Sequence, residues 1–299
     1  MPRFAFFLVG KKGFYSLDSF IKIFGAERLA YVIAARDKGI SSDYFSEIKY
    51  LCAETGIQFY ERKKTPRVGL KQAEYFFAIG WKWMIKNNAN LIVFHDSLLP
   101  KYRGFTPLVN MLIRGETVIG VTALWADEAY DRGPIVAQKS TGISYPIRIE
   151  HAIDRVIPIY AKLVTEIADR LVRGLGLPSS DQDEKRATYS IWREENDYHI
   201  DWSQDSVSIQ RFVDSVGYPY KGAVSSLNGA LVRILDTEVV EDVVIENRIQ
   251  NLGKVIFVSN QCPIIICGSG LLKLRRIVAD TDQSVISLIP FRSRFGGSQ

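Results

Sequence analysis

The chain has 299 residues, 47% of them hydrophobic and 24% charged, with a formal net charge of +5. This supports a sizeable core and about two domains, while no apolar run reaches the roughly 18 residues of a membrane span. Three scattered cysteines, Cys52, Cys262 and Cys267, exclude a disulfide framework or a zinc site and suit a reduced, cytoplasmic protein. The mild positive charge fits anionic ligands without establishing nucleic-acid binding. The first residues run straight into a strand-like segment, so no signal peptide is expected.

The first half alternates strand and helix. Residues 3–9 form an apolar run ending at Gly10, as a buried parallel strand would. Tyr15 to Phe24 predicts a helix with Leu17, Phe20, Ile21 and Phe24 on one face. A strand at Ala30–Ala35, a helix at Ser42–Glu54 and strands at Ile57–Tyr60, Glu74–Ile79 and Leu91–Phe94 follow. Gly104 to Arg114 reads as helix, then Gly120–Trp125 and Pro134–Lys139 as strands. The pattern predicts an α/β fold, a mostly parallel Rossmann-like sheet with helices on both faces. Ligands in such sheets sit at the carboxyl ends of the strands, where His95 falls.

Residues 148–173 predict a long amphipathic helix, kinked at Pro158 and stopped by Gly174. Residues 175–187 are polar, with Pro and Gly, the composition of a linker. Beyond it come a helix at Ser206–Val216 and short strands with turn signals at Asn228-Gly229, Asn260-Gln261 and Gly268-Ser269-Gly270. Residues 222–277 therefore predict a small antiparallel sheet or open barrel. Two domains are expected, an α/β one over 1–178 and a β-rich accessory one over 188–299.

The informative stretch is His95-Asp96-Ser97-Leu98-Leu99-Pro100-Lys101-Tyr102-Arg103-Gly104. It resembles the His-x-Ser-Leu-Leu-Pro-x-x-Arg-Gly signature of folate-dependent formyltransferases. Gly120-Val121-Thr122 through Asp131-Arg132-Gly133-Pro134-Ile135 is similar to the family's Gly-Val-Thr…Asp-x-Gly-x-Ile segment. Weaker likeness at Ile200-Asp201-Trp202 and Pro219–Ala223 extends to the accessory domain of the methionyl-tRNA and nucleotide-sugar enzymes. The glycinamide ribonucleotide enzyme lacks that domain.

The resemblance implies formyl transfer from 10-formyltetrahydrofolate to an amine, with His95 and Asp131 catalytic and no metal. A tetrahedral oxyanion must be stabilised and a proton taken from the nitrogen. The imidazole can serve either need, and the carboxylate can orient it. By the same resemblance the folate site involves Phe77, Ala78, Ile79, Gly80 and Leu99. Asp127 and Glu128 either border that site or solvate a loop. Acceptor contacts fall to Ser97, Tyr102, Arg103, Tyr218 and Tyr220. Arg103 and Gly104 have a second reading, as shapers of the turn after the motif.

One position departs from the family. Asn normally stands two residues before the His, and here that position is Val93. Residues two apart on a strand share a face, so Val93 points where the Asn would, with no donor. Loss of an oxyanion donor costs on the order of a hundredfold, unless a backbone amide or a side chain such as Ser97 replaces it. Asn87, Asn88 and Asn90 lie near in sequence.

Other residues have plainer readings. His151 begins a helix, His199 is solvated, and residues 61–67 form a basic solvated loop or touch phosphates or folate's glutamate tail. Trp202, Tyr218 and Tyr220 pack a domain interface or stack on a base. The tRNA enzyme carries a long basic loop after the second strand, whereas here only Arg36 to Ser42 lies between strand and helix. A nucleotide-linked amino sugar is therefore preferred as acceptor over tRNA, in a setting such as lipopolysaccharide biosynthesis. The third reading is a binding protein impaired by Val93. Family analogy adds a homodimer through the C-terminal domain.

Overall fold

The computed structural model describes residues 1–65, 72–85, 89–279, 284–286 and 289–296. It divides into two compact units, one of residues 1–108, 117–143 and 151–192, the other of 109–116, 144–150 and 193–299.

In the first unit, β1 (Phe4–Leu8) is buried at every residue, as its unbroken apolar run requires. It leads into α1 (Gly10–Phe24), β2 (Leu29–Ala34), α2 (Phe45–Glu54), β3 (Phe59–Glu61), β4 (Tyr75–Ile79) and β5 (Leu91–His95). After β6 (Arg103–Gly104) come β7 (Val118–Trp125), β8 (Ile135–Gly142), α4 (Ile149–Val172) and β9 (Tyr189–Ser190), while α3 (Pro107–Ile113), which precedes β7 in the chain, falls mostly in the second unit. The central sheet has the order β3-β2-β1-β4-β5-β7-β8. It is parallel from β3 through β5, and β7 and β8 are added antiparallel. The chain winds outward from β1 in one direction and then the other, so β1 and β4 flank a topological switch point.

Helix α1 begins five residues before the periodicity suggested. Gly10 takes φ +75, and a Cβ at Gly13 would meet Leu8 Cβ at 3.1 Å, so the first turn packs on β1 through glycine where the apolar pattern is silent. Phe20 meets Phe4 and Phe6 edge to face, at 5.1 and 5.0 Å between centroids. Phe77 and Phe94 continue that layer and Tyr160 of α4 covers it. Phe45 of α2 packs on Phe59 of the same face. Among the described residues α1, α2 and α4 lie on this face, and the cluster of Phe7, Tyr31, Ile33 and Ala78 on the other packs against Ala73, Trp81, Ile85 and the β3 residue Tyr60. Pro158 sits inside α4 without ending it.

The stretch expected as a linker is docked. Ser180 exchanges two backbone hydrogen bonds with Ile135, and β9 pairs with β6 in parallel. Its polar side chains read as solvated, yet Gln182 and Glu184 answer a buried arginine.

The second unit holds α5 (Ser206–Val216) and β10 (Ala223–Leu227), β11 (Ala230–Val240), β12 (Val255–Ser259), β13 (Cys262–Ile266) and β14 (Leu271–Ala279). They form an antiparallel sheet of order β10-β11-β14-β13-β12. The two asparagine turn signals work as read, with Asn228 and Gly229 at φ +51 and +82 and Asn260 and Gln261 at +52 and +62, and the third lies between β13 and β14 with Gly270 at +77. The edges β10 and β12 are joined through residues 293–296: Gly296 N–H donates to Ser226 O, and Val255 N–H to Ser293 O. This gives the barrel-like character. Trp202 is 5% exposed, donates to Ser225 Oγ at 3.1 Å and packs on Phe295, so it is a core residue and not a stacking platform.

Candidate active site

His95 is the last residue of β5, and alternation along the strand sends it and Asp96 to opposite faces of the sheet. The imidazole lies 2.8 Å from Tyr102 O through Nε2 and 3.4 Å from Asp131 Oδ2 through Nδ1. A carbonyl only accepts, so Nε2 carries a hydrogen and Nδ1 is the nitrogen turned to the carboxylate. Both side chains keep a small opening to solvent, 8% and 10%.

Backbone geometry delivers Asp131. It lies in the β7–β8 loop at φ +56, in the left-handed region that Asp tolerates, and its Oδ2 accepts the Gly104 amide at 2.8 Å. A Cβ at Gly104 would lie 2.5 Å from Ser190 O, and one at Gly133 only 1.9 Å from Trp125 O. Glycine is thus a steric requirement at both places.

The motif loop is braced internally. Ser97 Oγ donates to Lys101 O at 2.7 Å, and Thr122 Oγ1 donates to Ser97 O while accepting from Leu99 N and Gln138 Nε2. Asp96 is bound by Lys12 and by the Tyr160 hydroxyl. Burial alone would raise the Asp96 pKa, but the Lys12 ammonium and the Tyr160 hydrogen bond outweigh it and hold the carboxyl below its ordinary range. Burial, then the Asp96 charge, push the Tyr160 phenol well above 10.

Several expected contacts fall elsewhere. Ser97 has no exposed surface and its hydroxyl is committed to Lys101, so it braces the loop and supplies no oxyanion donor. Arg103 is fully buried against Gln182, Glu184 and Tyr189, and its reading as a turn-shaper replaces that of an acceptor contact. Tyr102 is 7% exposed and acts on His95 through its carbonyl. Leu99 is buried, its amide and carbonyl bonded to Thr122 and Gln138.

The Phe77 and Ile79 side chains lie in the core with Ala78 beside them, so this segment offers a ligand only backbone. Gly80 follows at φ +64, where a Cβ would meet Val9 O at 2.6 Å. Asp127 and Glu128 are exposed on the loop before Asp131. Tyr218 and Tyr220 belong to the second unit, Tyr218 exposed and Tyr220 half-buried.

Val93 is partly buried against the Phe7–Ala78 cluster. Asn90 donates to Glu74 O at the opposite end of β5 and does not take the missing role; Asn87 and Asn88 lie outside the described residues, as do Pro66 and Arg67 of the basic run. Sequence reasoning missed Gln182, Glu184 and Thr188, whose Oγ1 accepts the Tyr102 amide at 2.9 Å. Their signal was the polar stretch itself, facing an arginine with no visible partner.

Known proteins agree with this architecture. The profile of the formyl transferase family matches residues 72–157, and that of the formyl transferase C-terminal domain matches 193–285, together more than half of the chain. The chain belongs to the formyl transferase family. A methionyl-tRNA formyltransferase of Thermodesulfovibrio yellowstonii is 35% identical over 147 residues, 49% of this chain and 47% of that protein. The chain thus matches about half the length of such relatives. Among solved structures, the N-formyltransferase of Helicobacter canadensis, in complex with folinic acid and dTDP-3-aminofucose, superposes with TM-score 0.67 at 16% identity, covering 92% of this chain and 99% of that one. WlaRD, a sugar 3N-formyl transferase, gives the same TM-score at 17% identity, with coverage of 92% and 97%. Both likenesses are of fold.

Proposed function

We propose that this chain transfers the formyl group of 10-formyltetrahydrofolate to a primary amine, with His95 and Asp131 as its catalytic residues. The carrying observation is the dyad: an imidazole anchored through Nε2 on a carbonyl, with Nδ1 turned to a carboxylate in a site left slightly open to solvent. The acceptor nitrogen attacks the formyl carbon, and Nδ1 takes the proton released from it. The imidazolium then faces Asp131, and its positive charge stabilises the oxyanion. Collapse breaks the bond to N10 of the folate, which receives that proton, leaving tetrahydrofolate and a formamide. Val93 withholds one oxyanion donor, so the imidazole carries more of this work than in relatives with Asn. The pterin would meet the backbone of Phe77–Gly80, with Asp127 and Glu128 at its border.

A nucleotide-linked amino sugar is our preferred acceptor. Only ten residues, 35–44, separate β2 from α2, and the rings of Phe105 and Tyr130, next in chain to Gly104 and Asp131, form with Trp192 a partly exposed aromatic surface suited to a planar or sugar ring. Tyr130 and Trp192 are 47% and 60% exposed. The 35% identity with a methionyl-tRNA formyltransferase supports the second reading, an aminoacyl-tRNA acceptor. The test is incubation with 10-formyltetrahydrofolate and either a panel of nucleotide-linked amino sugars or methionyl-tRNA, with formylation followed by mass. Formylation of a sugar, lost in His95→Ala, is the expected result. Formylation of tRNA alone would overturn the acceptor, and no product on any amine would overturn the activity.

A further inference from the structure

The Arg103 guanidinium has five N–H groups, and all are answered. Nε and Nη2 donate to Gln182 Oε1 at 3.0 and 2.8 Å, Nη1 and Nη2 to the Glu184 carboxylate at 2.9 and 2.8 Å, and Nη1 to the Tyr189 hydroxyl at 3.2 Å. Gln182 is thereby oriented. Its oxygen faces the guanidinium, and its nitrogen donates to Asp131 O and Gly133 O, both at 2.8 Å. A flipped amide would oppose donor to donor and acceptor to acceptor, so only this orientation is satisfied.

The residues on either side of Arg103 hold the dyad directly, Tyr102 through its carbonyl on His95 and Gly104 through its amide on Asp131. One tripeptide therefore grips the histidine, the carboxylate and, through Gln182, the backbone that carries the carboxylate. The separation of Nδ1 and Oδ2, 3.4 Å, exceeds the roughly 2.7–2.9 Å of a charge-assisted hydrogen bond. Shifts of a few tenths of an ångström in the loop thus decide how strongly the pair couples.

We propose that Gln182 is a positioning residue for Asp131, its amide fixing the loop backbone that sets the distance between the carboxylate and His95. The kinetic consequence rests on the formyl-transfer reading; the geometric one does not.

Gln182→Ala and Gln182→Glu test it together. Gln182→Glu keeps the size and the pairing with Arg103 but withholds both donors from the loop. The expected result is a kcat lowered by about a hundredfold in both variants, as for a misplacement near 1 Å, with KM for 10-formyltetrahydrofolate unchanged and cooperative thermal unfolding retained. In an Asp131→Asn background, Gln182→Ala should add less than about twofold, because its effect runs through that carboxylate. The ring nitrogen signals of His95, assigned with His95→Gln, should move in 15N spectra of both variants while those of His151 and His199 stay. Wild-type kcat and His95 signals in Gln182→Glu would overturn the proposal, as would an undiminished hundredfold loss in the Asp131→Asn background. If the wild-type protein formylates no amine, the formyl-transfer reading fails, and unmoved His95 signals would then sink this proposal separately.

Discussion

Two carboxylates flank His95 on opposite faces of one sheet. Asp96 meets a lysine ammonium and a buried phenol and is locked as an ion. Among the described residues Asp131 meets one backbone amide and an imidazole nitrogen, and no lysine or arginine is paired with it. A partner of fixed charge makes a carboxylate structural, whereas a partner that can gain or lose a proton leaves it available to chemistry.

The sharpest break of that contrast is at the dyad. Asp131→Asn and His95→Ala should each lower kcat by on the order of a thousandfold, as for loss of a positioned acid–base group, with thermal stability nearly unchanged. Asp96→Asn should do the reverse. Removing one partner of a buried pair costs about 3 kcal/mol, read as a lowered Tm, while kcat keeps its order of magnitude. The same variant tests the charge by pH. Because the folded pKa of Asp96 is depressed, its contribution is present above about pH 3.9, the unfolded value, and is lost as pH falls through the lower folded value. The stability gap between wild type and Asp96→Asn should therefore persist from neutrality to about pH 4 and close only below it, as denaturant titrations can follow. If it closed near neutrality, Asp96 would not be the locked ion described here.

Trp192→Ala, outside both clusters, should raise KM for the acceptor several-fold, in line with about 1 kcal/mol of ring contact, and leave KM for the folate alone. The smallest effect is chemical. Burial pushes the Cys52 and Cys267 thiols up to about 12, so in the native protein at pH 8 a thiol reagent should modify Cys262 first and leave these two until unfolding.

The sequence made the two asparagine turns and the all-apolar β1 legible because one local rule governs each. It located His95 at a strand end and Asp131 in a following loop, since strand alternation and motif order reach that far. The start of α1 escaped because two glycines and two lysines carry its first turn, and close packing onto Leu8 leaves no apolar mark. Gln182 escaped for a different reason. A polar side chain that serves a buried arginine 79 positions away is indistinguishable, residue by residue, from one that serves water.

The docking of residues 180–190 bears on any attempt to divide or recombine this chain. A catalytic fragment cut at residue 178 would lose Gln182, Glu184, Thr188 and Tyr189 at once, stranding a guanidinium in the interior and loosening the loop that carries Asp131. A chimera with a relative's accessory half should join beyond Ser190, so that both sides of the arginine's shell come from one parent.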